Sequence, residues 1–163
     1  MKTYNILFLC THNSARSILG EAIASTNSFG KLIGYSAGSS PGKSVNPIAK
    51  KMAVEFGYDA NKLYSKSWDE FAKPSAPQMD FIITVCDNAA KEECPVWIGH
   101  PATAHWGFSD PSAILGSEND KEKAFREVAM GLTKRIQLLA SLPIDKLDHL
   151  SLTSKLKEIH TNA

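Results

Sequence analysis

A thiol and a guanidinium bracket five small or polar residues in the stretch LCTHNSARS, residues 9–17, where Cys10 and Arg16 stand at the two ends of THNSA. A thiolate is a strong nucleophile, and a guanidinium presents a planar fork of donors that can hold two oxygens of a tetrahedral oxyanion at once. Standing alone, Cys10 reads as a small buried hydrophobe and Arg16 as a surface residue. Two further thiols, Cys86 and Cys94, flank DNAAKEE, and Asp110 precedes Pro111. These invite redox chemistry and proton donation, or, more plainly, structural thiols and a turn. With His100 and His105 the thiols would also offer metal-ligand types, but the spacing matches no zinc knuckle.

What decides between these readings is where the chain's elements put the residues. Short apolar runs at Tyr4–Leu9, Leu32–Ala37, Asp80–Val85 and Ala102–Trp106 have the length and content of buried strands. Amphipathic stretches lie between them. Ser17 opens one helix, with Ile18, Leu19, Ala22 and Ile23 on a face; Asn46 and Pro47 form an N-cap and first-turn pair before Ile48, Met52 and Phe56, with Gly57 as the stop. A third runs from a capping box at Ser117–Asp120 through Phe125, Val128, Leu132, Ile136 and Leu139 to Pro143. Alternating strands and helices predict a three-layer α/β sandwich: a mostly four-stranded parallel sheet with helices on both faces. The domain is expected over residues 1–143, with 144–163 a tail that forms at most a short helix.

In such a sheet the C-terminal ends of the strands share one rim, and Cys10 directly follows the first strand. The loop Thr11, His12, Asn13, Ser14, Ala15, Arg16 and Ser17 then becomes a cradle. Its backbone N–H groups and the positive end of the following helix suit an oxyanion and favour a low-titrating thiolate at Cys10. Asn13 is the residue best suited to a left-handed position there. Cys86 follows the third strand and opens onto the same rim if that strand is parallel to the first. Glu21 and Ser36 fall behind the loop as a hydrogen-bond network or a cation site.

Composition narrows the classes. The chain has 163 residues, a formal charge of +1 and three cysteines, and its apolar runs are too short for a signal peptide or a membrane span. Nucleic acid and membranes are not expected partners, and the expected location is the cytoplasm. An odd cysteine count argues against a static disulfide framework.

The stretch Cys10-x5-Arg16-Ser17 after a first strand resembles the active-site loop of the low-molecular-weight protein tyrosine phosphatase fold. With CDNAAKEECP (86–95) and HWGFSDPS (105–112), the chain is similar over about residues 4–141 to the arsenate reductases built on that fold. The resemblance implies arsenate as substrate, no cofactor or metal, and phosphate or sulfate as competing oxyanions. It makes Cys10 the nucleophile, Arg16 the oxyanion clamp, Cys86 and Cys94 the redox relay, and Asp110 the general acid. Three departures stand out: His12 replaces a common glycine, Ala15 a common further cysteine, and seven residues separate Cys86 from Cys94, one more than expected for thioredoxin-coupled members. Thioredoxin and a glutaredoxin or low-molecular-weight thiol system are therefore both candidate reductants. A tyrosine phosphatase would use Cys10, Arg16 and Asp110 and leave the other thiols idle. A phosphocysteine carrier would need the cradle alone. If DNAAKEE is helical when reduced, Cys86 and Cys94 lie too far apart for a disulfide, so oxidation must unwind the segment.

Overall fold

Strand β1 (Tyr4–Cys10) runs through the middle of the molecule, and apart from Asn5 every residue in it is buried. That is why its sequence shows no alternation: a central strand of a parallel sheet is covered on both faces. The computed structural model describes residues 2–91 and 97–163. In it β1 pairs in parallel with β2 (Leu32–Gly38) on one side and β3 (Phe81–Thr84) on the other, and β4 (Ala102–His105) extends the sheet beyond β3, giving the order β2-β1-β3-β4. The chain leaves β1 for one side and later returns to the other. The crevice between the ends of β1 and β3 is therefore the topological switch point, where open α/β sheets bind ligands.

Helices cover both faces, with unequal weight. On one, Ile6, Phe8, Phe81 and Ile83 pack with Ile18, Leu19 and Ile23 of α1 (Arg16–Thr26), Met52 of α2 (Pro47–Glu55), and Phe125, Leu132 and Ile136 of α4 (Glu118–Ala140). On the other, Leu7, Leu9 and Ile82 pack beneath the short 3₁₀ helix Trp68–Phe71 and Trp97. A short helix, α3 (Asp87–Lys91), follows β3. The cap signals act as the sequence suggests: Asn46 accepts the backbone N–H groups of Ile48 and Ala49, and Gly57 takes φ +93° just past the end of α2.

Residues 144–163 are more than a loose tail. After a 3₁₀ turn at Ile144–Lys146, α5 (His149–Asn162) buries Leu156 and Ile159 in the same core as α4, and the Leu156 carbonyl accepts the indole N–H of the fully buried Trp106 at 3.0 Å. Among the described residues no helix is long and apolar enough to cross a membrane.

Candidate active site

Four consecutive carbonyls of the loop after β1 point away from its centre. Thr11 O accepts from Ser40 N at 2.8 Å, His12 O from Gly42 N at 2.9 Å, Asn13 O from the Ser65 hydroxyl at 2.8 Å and Ser14 O from Asn46 N at 2.9 Å. In a trans peptide the next N–H lies opposite its carbonyl, so this outward set turns the amides of His12, Asn13, Ser14 and Ala15 inward. Asn13 makes the turn with φ 50°, in the left-handed region expected of it. Its side chain is fully buried and laces the loop together, donating to Ser17 Oγ at 2.9 Å and accepting from the backbone N–H of Lys66 at 3.0 Å. Gly38, at the end of β2, lets the loop come this close: a Cβ there would lie 2.5 Å from Thr11 O.

The loop runs into α1 at Arg16. Ala15 occupies the N-cap position with no side-chain hydrogen bond, and the first turn holds no acidic residue, so the N–H groups and positive dipole end of α1 are left to the cradle. The Arg16 guanidinium is mostly buried and is aimed by the Phe108 carbonyl, which accepts from Nη1 at 2.8 Å; Nη2 lies 3.9 Å from Asp110 Oδ2. Asp110 has two jobs open to it. Its Oδ1 accepts from the Ser112 N–H and hydroxyl, at 2.9 and 2.6 Å, and so caps the turn Pro111–Ala113. Its Oδ2 stays on the Arg16 side, and the side chain is 43% exposed. His12 is turned outward onto Ser40 O, so only its backbone faces the cradle.

Cys10 and Cys86 are both buried free thiols, at the ends of the two strands that flank the switch point. Their side chains hydrogen-bond each other, and Thr11 Oγ1 lies 3.6 Å from Cys86 Sγ. The sequence points to Cys10 as the low-titrating thiol; in this geometry it is Cys86 that is pushed down, to about 5. The hydrogen bond from Cys10 is the main cause, helped by the Ala89 and Thr11 amides against the effect of burial. Cys10 is pushed up in return, by donating that bond and by burial, against the lowering pull of Arg16. Two adjacent thiols share one negative charge more easily than two, which sequence spacing could not reveal. Cys94 lies outside the described residues. His105, at the end of β4, joins the end of β3 to α3, with Thr84 Oγ1 at 2.8 Å and Asp87 Oδ1 at 2.9 Å.

One residue of the site gave no sequence signal. Lys66 is buried behind the loop, where its ammonium lies 3.7 Å from Glu21 Oε1, 3.5 Å from Asn13 Oδ1 and 2.8 Å from Tyr64 O. Glu21 also accepts from Ser36 at 2.6 Å and Tyr58 at 2.6 Å. The Glu21–Ser36 site is thus a hydrogen-bond network whose positive charge is a lysine of the chain. Burial lowers the Lys66 pKa, against the opposing pull of Glu21 and Glu70. A cleft of about 860 Å³ opens beyond it, lined by Tyr35, Tyr58 and Tyr64, and includes none of Cys10, Arg16 and Asp110.

Comparison with known proteins bears on this arrangement. Residues 5–149 match the family model of low molecular weight phosphotyrosine protein phosphatase. The chain is 34% identical over 140 residues to an arsenate reductase of Oceanobacillus iheyensis, covering 83% of this chain and 94% of the relative. It is 34% identical, again over 140 residues, to an arsenate reductase of Bacillus subtilis, covering 86% and 97%. The fold superposes on the crystal structure of an arsenate reductase from Archaeoglobus fulgidus with a TM-score of 0.64 and 26% identity, over 84% of this chain and 99% of that one.

Proposed function

The chain belongs to the low molecular weight phosphotyrosine protein phosphatase family, and from that premise we propose that it is an arsenate reductase that works through a thiol relay starting at Cys10. The observation that carries the proposal is the contact between the Cys10 and Cys86 thiols at the mouth of one oxyanion cradle. Ester hydrolysis needs one thiol; a second one touching it supplies the partner for a two-electron reduction.

Arsenate enters the cradle against the amides of residues 11–17 and the Arg16 fork. Cys86, which carries the shared negative charge, takes the Cys10 proton as the Cys10 sulfur attacks. The Cys10 sulfur bonds to arsenic, and one oxygen leaves as water with a proton from Asp110. Cys86, deprotonated in turn, attacks the Cys10 sulfur. The S–As bond breaks with its electron pair going to arsenic, which departs as arsenite, and a Cys10–Cys86 disulfide remains. Cys94, which lies outside the described residues, then attacks Cys86, frees Cys10 and forms a Cys86–Cys94 disulfide. An external reductant, either the dithiol of thioredoxin or a glutaredoxin or small-thiol system supplying two thiols, reduces that disulfide. Phosphate and sulfate compete for the cradle, and the reaction runs in the cytoplasm, where such reductants are kept.

The test is to assay arsenate reduction beside aryl phosphate hydrolysis in wild type and Cys86→Ser, supplying each reductant in turn. Multiple-turnover arsenate reduction should vanish in the variant while hydrolysis persists. Loss of both in a folded variant would make Cys86 structural and sink the relay.

A further inference from the structure

The family match ends at residue 149, the first residue of α5, yet α5 touches Phe108, the residue whose carbonyl holds Arg16. Resting on the functional reading above, we propose that α5 positions the oxyanion clamp: Arg135 of α4 and His160 of α5 are positioning residues that fix Phe108, whose carbonyl aims Arg16.

The connection can be followed atom by atom. Phe108 lies between β4 and Asp110. Its N–H donates to Val85 O at 3.0 Å, beside Cys86, and its carbonyl receives Arg16 Nη1 at 2.8 Å. Phe108 is therefore a two-sided spacer, through the two peptides that flank its Cα, between the second thiol's strand and the clamp. Its orientation depends on the ring. The Arg135 guanidinium lies over that ring, 4.9 Å from its centroid, and the His160 ring meets it edge-on at 6.3 Å and 63°. Arg135 is in turn held at both ends, donating from Nη1 to Gly131 O of its own helix at 2.9 Å and from Nε to His160 Nδ1 at 3.0 Å. The last bond requires a neutral imidazole with its lone pair on Nδ1. Burial and the neighbouring Arg135 and His105 favour that form. Gly131 completes the seat, since a Cβ there would lie 2.8 Å from the Phe108 ring.

A second tie binds the same segment to α5, through the Trp106 indole on Leu156 O. If α5 only covered Trp106, hydrophobic burial would suffice. It would not need a histidine acceptor holding an arginine over the ring of the residue whose carbonyl orients Arg16. A guanidinium that binds two oxygens depends on its plane, so a tilt of Phe108 is passed to the substrate.

The experiment uses the full chain with His160→Leu, Arg135→Met and the acceptor-preserving His160→Gln. Three quantities are measured: the KM and kcat for arsenate, the Kd for inorganic phosphate by calorimetry, and the thermal midpoint. His160→Leu and Arg135→Met should each raise KM and phosphate Kd roughly tenfold, the loss expected when an ionic hydrogen bond is misaligned, with a smaller change in kcat. His160→Gln should stay within about twofold of wild type, because a neutral acceptor still faces Arg135. Unchanged KM and Kd in folded His160→Leu overturn the proposal, even with a lowered thermal midpoint; that pattern means α5 is only a cover. Should Arg135→Met fail to fold, the two His160 variants decide. A wild-type chain that reduces no arsenate would refute the functional reading, and the phosphate measurement would still decide the positioning role.

Discussion

The starts of α4 and α1 are opposite solutions to one problem, the N–H groups that every helix leaves without partners in its first turn. At α4 the chain closes the end itself. Ser117 Oγ accepts the Asp120 N–H at 3.2 Å, and Asp120 Oδ2 accepts the Ser117 N–H at 3.1 Å. Asn46 and Asp148 close α2 and α5 with the side-chain half of that arrangement, each accepting a first-turn N–H. At α1 the N-cap is Ala15, which has nothing to offer, although this end is the buried one. A buried helix end without a cap is costly to the fold, so its persistence points to donors held for something that arrives from outside. A helix start without a polar cap, just after a cysteine-terminated strand, is thus more informative than a well-capped one.

The contrast can be broken at the open end with the largest effect. Arg16→Lys keeps the charge but loses the fork, and should lower kcat/KM for arsenate by roughly 10²-fold while thermal unfolding stays near wild type. An unchanged kcat/KM would mean that the charge alone suffices. Closing α1 artificially comes next. Ala15→Asp brings a carboxylate of the chain's own to the amides and should weaken inorganic phosphate binding about thirtyfold, a loss near 2 kcal/mol, because the site must give up an internal anion first. Calorimetry would read it, and undiminished binding would show that the amides are not the binding element.

The open end also titrates. With Cys86 pushed down from 9.0 to about 5, the folded protein has released a proton that the unfolded chain still holds between those values, so this pair stabilises the fold increasingly as pH rises from 5 to 9. Above that, Cys10, pushed up, keeps its proton while the unfolded chain loses one, and the sign reverses. Urea unfolding at pH 6 and pH 8.5 should therefore show a gain for wild type that Cys86→Ser lacks. Equal slopes in the two proteins would place the charge elsewhere. The smallest effect belongs to the closed end: Ser117→Ala should cost about 1 kcal/mol in the same unfolding assay and leave arsenate turnover unchanged.

The strands, the main helices and the cradle were legible because each rests on local chemistry: apolar runs, cap residues, and a thiol and a guanidinium at a strand-to-helix junction. Cys86 was legible for the same reason, as the residue next to an apolar run. Lys66 was not, because its meaning depends on Glu21 and Asn13, brought to it by a stretch with no periodicity to read. Phe108, Arg135 and His160 come from three separate elements, and each alone reads as ordinary packing. The tail looked short of signal because α5 buries few side chains, Leu156 and Ile159 chief among them. The proton shared by Cys10 and Cys86 depends on their contact, which no spacing encodes.

The position of Cys10 on the innermost strand has a consequence in time. Ile6 to Leu9, paired with β2 on one side and β3 on the other, become accessible only when the sheet itself comes apart, so their backbones should exchange hydrogen with solvent about as slowly as the whole protein unfolds, and Cys10, paired with Gly38 alone, is anchored to the end of that run. Asp110, on an exposed turn, has no such ladder to hold it. Cys10 is thus held at the end of the most slowly opening element, buried, with the cradle loop directly after it. The strand order, which puts this apolar run in the middle, sets how firmly the backbone beneath the thiol is held between turnovers.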